Sequence, residues 1–331
     1  MNPPKPFPIL RLLFLAIEEV IKALDPIEII NFSIISKRTK GIAKQMSFFP
    51  KYSMGLFINE TLDIMFCGTG DMVSWFYAMT SDIKMDGKIE EDESDGCIIR
   101  RVFKYSKDPV EEWKQLFKHV SEIFKKQTID VLRITMDSFL GQNVSIIEYL
   151  KVNMKSVDLC YLFQTNYINN VDKHTAYLLD NIKIISELTH YLYTENYDFD
   201  GKIPKYLQHL CIYNSQWIGF ERLLEIDSES VVLKRNLISD EQWNVFFKKW
   251  IAMDTHLNLQ YLELDYRNIE QFRALVLNDI PHEVVDLGVK RVLKIIHDET
   301  KEISGGIDIR RIDGKTATFF VHYTGFSMSV H

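Results

Sequence analysis

Residues 7–46 read FPILRLLFLAIEEVIKALDPIEIINFSIISKRTKGIAKQM, a helical pattern in three parts. Ile17, Val20, Ile21 and Leu24 keep the i, i+3, i+4, i+7 spacing of one helix face. Asp25-Pro26-Ile27-Glu28 restarts the chain, with Asp25 as a cap, Pro26 preset for the first helical position and Glu28 closing a capping box. A third helix is expected from about Ser36 through Ile42, Ala43 and Met46, with Lys37, Arg38, Lys40 and Lys44 on a basic face. Phe14 and Leu15 widen the first apolar stripe, and Ile27, Ile29, Ile30, Phe32, Ile34 and Ile35 are nearly continuous. A segment of about 40 residues is near the lower limit for burying its own core. Part of this apolar surface therefore needs cover from the rest of the chain or from a partner.

The same residues also fit an N-terminal helical cap on a globular protein. They do not fit a targeting or membrane segment. The run Ile9 to Ile17 is broken by Arg11, ends at Glu18-Glu19, is too short to span, and has no small-residue cleavage site after it. The proline-rich Met1 to Pro8 reads as an extended lead-in, and Phe48-Phe49-Pro50 as the end of the helical segment.

A length of 331 residues suggests one small and one larger domain. With 46% hydrophobic and 26% charged residues, the composition is that of an ordinary globular protein. A net charge of −7 disfavours a nucleic-acid surface. Cys67, Cys97, Cys160 and Cys211 form no C-x-x-C pair, which argues against a disulfide framework and a zinc site. They read as buried, reduced thiols of a cytosolic or nuclear protein.

From Tyr52 the pattern changes to period two, with strands expected at Tyr52–Ile58, Leu62–Phe66, Asp71–Met79 and Cys97–Phe103. The acidic SDIKMDGKIEEDESDG between the last two lacks periodicity and reads as a solvated loop; its acids miss the offsets of a calcium loop. Asp108 to Glu111 is a second capping box. It opens a helix with Trp113, Leu116, Phe117, Val120, Ile123 and Phe124 on one stripe and Lys125-Lys126 at its end.

Short strands then recur every 20 to 30 residues or so, a leucine-rich-repeat span. They are marked by Ile129, Leu132 and Ile134; Val157, Leu159 and Leu162; Leu188, Tyr191 and Tyr193; Leu207, Leu210 and Ile212; Val231 to Leu233; and Leu259, Leu262 and Leu264. In such a stack each unit has an apolar face that only its neighbours bury. An ordinary α/β domain with strands at these intervals fits as well. Ser239 to Gln242 is a capping box before a helix with Trp243, Phe246, Phe247, Trp250 and Ile251 on its apolar stripe. At the C-terminus a hairpin is expected around a two-residue turn at Asp313-Gly314, with Phe326 to Val330 as a third strand closing the stack.

Leu24-Asp25-Pro26 followed by Ser33-Ile34-Ile35-Ser36-Lys37-Arg38 resembles an F-box. Two positions depart from that pattern: Leu13 stands for its proline and Thr39 for its tryptophan. Further on, ISDEQWNVFFKKWI before HLNLQYLEL, IYNSQWIGFERLL and GGIDIRRIDGKTATFFV resemble the type 2 F-box-associated domain of nematode-expanded F-box proteins. That second resemblance covers roughly residues 120–325.

The resemblance implies an α/β chain of three parts: an F-box at 6–50, connecting strands and an acidic loop at 51–107, and a leucine-rich-like recognition domain at 108–331 ending in a β-hairpin. It implies a non-catalytic, substrate-recruiting subunit of an SCF-type ubiquitin ligase, docked on a Skp-type adaptor and through it a cullin, and holding a target protein near the ubiquitin donor. The motif positions give Leu12, Leu15, Val20, Leu24, Ile29, Ile30 and Ile35 as adaptor anchors, with Ser36 and Lys37 at the edge. Strand residues between core leucines, Arg133, Thr135, His209, Tyr213, Glu263 and Asp265, are the expected target contacts. The alternative is a free-standing recognition module with no ubiquitin role, its helices folded onto residues 52–130 with Leu12, Val20 and Ile30 buried.

The sequence contains no P-loop, no G-x-G-x-x-G after a strand, no G-x-S-x-G and no H-E-x-x-H. Gly68-Thr69-Gly70 and Gly305-Gly306 read as turns. No two of the nine histidines form a ligand pair at i, i+4; His119 reads as surface, and His190 and His209 as lying in or beside strands. The expectation is no enzyme activity, cofactor, metal, nucleic acid or membrane partner. The expected location is the cytoplasm, with Lys37-Arg38-x-Lys40 also fitting nuclear import.

Overall fold

The computed structural model describes residues 9–46, 51–68, 70, 73–94, 96–194, 199–322 and 325–331. The expected lead-in, the Phe48 to Pro50 terminator, Thr69 and the first two residues of the strand expected from Asp71 lie outside them. The chain forms two compact units, Met1–Arg133 with Val152–Lys155, and Ile134–Lys151 with Ser156–His331. Their boundary lies later than the divisions at 50 and 107 that the sequence suggested.

The first unit opens with α1 (Phe14–Ala23), α2 (Pro26–Ile34) and α3 (Lys37–Gln45). Asp25 restarts the chain as its chemistry requires. The Glu28 N–H donates to Asp25 Oδ1 at 2.8 Å, and the Asp25 N–H donates back to Glu28 Oε2 at 3.0 Å. Thr39 has a parallel role at α3: its N–H donates to Ser36 Oγ at 3.1 Å and its Oγ1 accepts the Ser36 N–H at 2.9 Å. Thr39, one of the two departures from the F-box pattern, is therefore the partner of Ser36 in a capping box.

Next come β1 (Tyr52–Ile58), β2 (Leu62–Gly68), β3 (Val73–Thr80), β4 (Ile89–Ser94), β5 (Cys97–Tyr105), α4 (Pro109–Phe124) and β6 (Thr128–Thr135). Their order in the sheet is β6-β1-β2-β3-β5-β4. α4 lies on β2 and β3, with the Phe124 ring 4.6 Å from Phe66 and 6.0 Å from Tyr52. Asp108 caps α4 through the Glu111 N–H at 3.2 Å, but the Glu111 carboxylate turns to Lys114, so the expected box is half formed. The acidic stretch departs from a loop. Ile89–Ser94 pairs antiparallel with β5 while all six residues stay exposed. Charged side chains on an edge strand keep their hydration and block further pairing, so the pattern is compatible with a strand although it shows no alternation.

The second unit holds α5 (Asn143–Asn153, its last two residues in the first unit), β7 (Ser156–Phe163), α6 (Asp172–Asn181), β8 (Ile184–His190), β9 (His209–Ile212), α7 (Phe220–Glu225), β10 (Ser230–Leu233), α8 (Asp240–Ile251), β11 (Tyr261–Asp265) and α9 (Ile269–Leu275). β12 (His282–Lys294), β13 (Thr300–Arg310), β14 (Thr316–His322) and β15 (Gly325–Val330) follow. Strands β7 to β11 are parallel, each laid beside the one before it in sequence. Leu188, Leu210, Val231 and Leu262 stand in register and are buried, giving the sheet one continuous aliphatic face. β15 pairs antiparallel with β11 and leads back through β14 and β13 to β12. The C-terminal strands thus cover the edge that β11 would leave open.

Three local expectations change. β8 ends at His190, so Tyr191 and Tyr193 lie just beyond it. The turn between β13 and β14 is centred on Ile312-Asp313: the Gly314 N–H donates to Arg311 O at 2.9 Å, with Gly314 at φ +93°. Asp313 holds both Arg311 and the Lys315 N–H, which favours this wider loop over the two-residue turn. Cys97 is exposed, because β5 is paired with the solvated acidic strand.

Candidate interaction surfaces

In the first unit the apolar residues of the three helices fall into a buried and an exposed set. Ile17, Ile21, Ile27, Ala43 and Met46 are buried, and Ile29 and Ile30 are completely so at 0% exposure. Leu13, Phe14, Leu15, Val20, Ile34 and Ile35 remain exposed, Leu15 at 73% and Ile35 at 74%. Helices α2 and α3 are tied to α4. Ser33 Oγ lies 2.7 Å from His119 Nε2, and Lys40 and Lys44 reach Glu122 at 3.1 and 2.7 Å. The two lysines hold the Glu122 carboxyl down at about 2. Burial, with Lys40 nearby, pushes the His119 imidazole below its ordinary value, so it stays neutral beside the Ser33 hydroxyl. His119 is therefore a half-buried partner and not the surface residue that spacing suggested.

Of the expected adaptor residues, Leu15, Val20, Ile35, Ser36 and Lys37 are exposed, Leu12 and Leu24 half-buried, and Ile29 and Ile30 enclosed. Leu13, Phe14 and Ile34 are exposed as well. Helical spacing could not separate the two sets, because α2 packs on β3 and α4, which come from far along the chain.

In the second unit, alternation along the strands places His209, Tyr213, Glu263 and Asp265 on one side of the sheet, opposite Leu210 and Leu262. Thr135 on β6 is half-buried, and the exposed Arg133 belongs to the first unit. At the strand ends Phe163, Tyr191 and Tyr213 stack as a ladder, with ring centroids 4.9 and 4.3 Å apart. Next to it Lys234 Nζ contacts Glu263 Oε1 and donates to Leu264 O, both at 2.7 Å, and Tyr261 donates to Glu263 Oε2 at 2.6 Å. Arg235 donates to Asn214 Oδ1 at 3.0 Å, and its N–H to Asp265.

Burial raises the Tyr213 and Tyr261 phenols, with Tyr191 and Glu263 as their respective hydrogen-bonding neighbours. Burial also pushes the Cys211 thiol up to about 12. These groups stay protonated, which suits contact and hydrogen bonding rather than nucleophilic work. Among the described residues, no group of three or more His, Cys, Asp or Glu gathers as a metal site, and no helix is long and apolar enough to cross a membrane. The ladder was not expected from sequence, although Tyr191 and Tyr213 could be read there; their stacking depends on strand register.

Residues 198–264, which include β9, β10, α8 and most of β11, match the family model described as F-box associated. Over 288 residues the chain is 21% identical to the Skn-1 dependent zygotic transcript 15 protein of Caenorhabditis elegans, covering 80% of this chain and 81% of that protein. Over 171 residues it is 23% identical to the E3 ubiquitin-protein ligase hecw-1 of the same organism, covering 45% of this chain and 13% of that protein's length. No solved structure matches the chain. The second unit thus carries a segment similar to F-box-associated domains, which contributes Leu210, Val231 and Leu262 to the aliphatic face.

Proposed function

We propose that this chain is the substrate-recruiting subunit of an SCF-type ubiquitin ligase. Helices α1–α3 act as an F-box on a Skp-type adaptor, which connects to a cullin. The second unit, a leucine-rich-like stack, holds the target protein. The observation that carries this reading is the F-box-associated match at 198–264, in a chain whose N-terminal helices leave several large apolar residues exposed. Exposed apolar surface of this kind is a common mark of a docking site. The chain contributes no catalytic group; it raises the local concentration of target and ubiquitin donor. Its place of action is the cytoplasm, with the nucleus open to it through the basic run at Lys37.

The test is co-purification of the full chain with a purified Skp-type adaptor, comparing the natural sequence with Leu15→Ala and Ile35→Ala. Weakened capture with unchanged circular dichroism supports the reading, and capture that ignores both substitutions counts against it.

One observation favours a second reading, that of a free-standing recognition module. Ile29 and Ile30 are wholly enclosed, and α2 and α3 are hydrogen-bonded and ion-paired to α4. On that reading α1–α3 are a cap, and the natural sequence shows no adaptor binding at all.

A further inference from the structure

β12 and β13 form an arm that bends. They pair at His282 to Val285 and again from Lys290 to Lys294, with a register break between. Opposite the break stand Gly305 and Gly306 at φ +69° and +123°. A Cβ on Gly306 would lie 2.8 Å from Phe319 O, so the bend needs glycine there. Just past it Arg291 fastens the fold-back, donating to Asp308 at 2.7 and 3.1 Å and to Gly305 O at 3.2 Å.

Beyond the bend the arm crosses the sheet on the side that carries His209 and Glu263. Leu293 and Ile303 are buried against Cys211, Val232, Tyr261 and Phe320, and Ile295 and Ile296 pack on the same cluster. At the tip, His297 Nε2 lies 3.3 Å from Glu187 Oε2 on β8, and its ring 4.7 Å from His209. The tip therefore reaches across β14, β15, β11, β10 and β9. The seat is imperfectly filled. A cavity of about 60 Å³ remains beside Ser230, Tyr261, Lys294 and Ile295, and the buried Ser230 hydroxyl has no hydrogen bond there. Such a space has room for water and makes the contact cheaper to open than a dry core.

We propose that the arm is a displaceable occupant of a binding site on the strand face, and that the site takes a target segment of like chemistry: two adjacent aliphatic side chains followed by a hydrogen-bond donor to Glu187. This rests on the reading of the second unit as the target-holding part. Ile295 and Ile296 supply the aliphatic pair, and His297 the donor. The arm then competes with the target, and only a segment that satisfies both the apolar seat and the carboxylate displaces it.

Two thiols report on the arm. Cys211 lies beneath it, while Cys160 is buried on the opposite, aliphatic face in register with Leu188. Burial pushes both up to about 12, so each reacts only when the structure over it opens. In the full chain carrying Cys67→Ser and Cys97→Ser, N-ethylmaleimide labelling is followed at each site by mass spectrometry. Cys211 is expected to react about tenfold faster than Cys160, and His297→Ala to raise the Cys211 rate severalfold with Cys160 unchanged. Equal rates at the two thiols, or no response to His297→Ala, overturn the proposal.

A second variant replaces Lys290–Ser304 by Asn-Gly, and the probe is a cyclic peptide carrying Leu293–Ile303. Restored protection of Cys211 by the peptide supports the site. If Cys160 stays protected and the peptide leaves Cys211 open, the proposal falls. If the shortened chain fails to fold, the His297→Ala comparison decides. No adaptor enters these measurements, so their failure is distinct from failure of the ubiquitin-ligase reading.

Discussion

Ser33 Oγ and His119 Nε2 stand 2.7 Å apart although 86 positions separate them in sequence. This bond ties α2 to the chain's own helix α4. Ile30 is fully buried. Ile30→Ala is expected to cost the first unit about 2–5 kcal/mol in urea unfolding. Leu15→Ala and Ile35→Ala, at exposed positions, should change stability by no more than about 0.5 kcal/mol. Similar losses at all three positions would contradict the division.

Two buried histidines make the second unit sensitive to acid. Burial holds His190 and His256 at about 4, from an ordinary 6.5. The unfolded chain takes up these protons as pH falls through 6.5, and the folded chain does not until about 4. Stability is therefore complete above 6.5 and lost across that window, by at most about 3 kcal/mol for each group. Melting followed by near-UV circular dichroism should show Tm falling between pH 6.5 and 4, with a shallower fall in His190→Leu, whose neighbours are Phe199 and Trp217. An unchanged slope would contradict the assignment.

Asp63 carries the opposite sign. It is fully enclosed, and burial raises its carboxyl to about 6, with Arg101 Nε 3.4 Å away opposing the shift. The unfolded group ionises near 3.8, so Asp63 favours the folded state below that pH and loses this contribution as pH rises through about 6. Asp63→Asn should raise stability at pH 7.5 by up to about 3 kcal/mol, with the gain shrinking toward pH 4. Urea titrations at the two pH values decide it; equal gains would rule out buried ionisation as the cause.

Much of this architecture could be read from local chemistry. Asp25, Ser36 and Ser239 announced their helices because capping is satisfied within four residues. The strands at Val231 and Leu262 announced themselves because one of their faces is uniformly aliphatic. What stayed hidden depends on distant partners. The acidic β4 has no apolar alternation, and β12 is a 13-residue strand with one fully buried side chain, Leu293. The arm could not be anticipated, because the seat under Ile295 is assembled from strands that are far apart in sequence. In the same way, the burial of Ile29 and Ile30 depends on elements distant in sequence, since α2 packs on β3 and α4.

Phe272 joins the crossover helices to the C-terminal strands. Its ring centroid lies 4.4 Å from Phe326, 5.0 Å from Phe319 and 5.9 Å from Phe247. Phe272→Ala should cost about 3–5 kcal/mol and loosen β14 and β15 before the rest of the second unit. Hydrogen exchange at Phe319 and Phe326 measures this; unchanged protection there would contradict it.

The most direct test of the account is the affinity of the full chain for a purified Skp-type adaptor, measured by calorimetry. The comparison is between the natural sequence, the double variant Leu15→Asp with Ile35→Asp, and Val152→Asp as a control at another exposed apolar position. Binding by the natural chain and the control, with a loss of about 30-fold or more in the double variant, is the predicted result. No binding by the natural chain, or equal binding by all three, would contradict it.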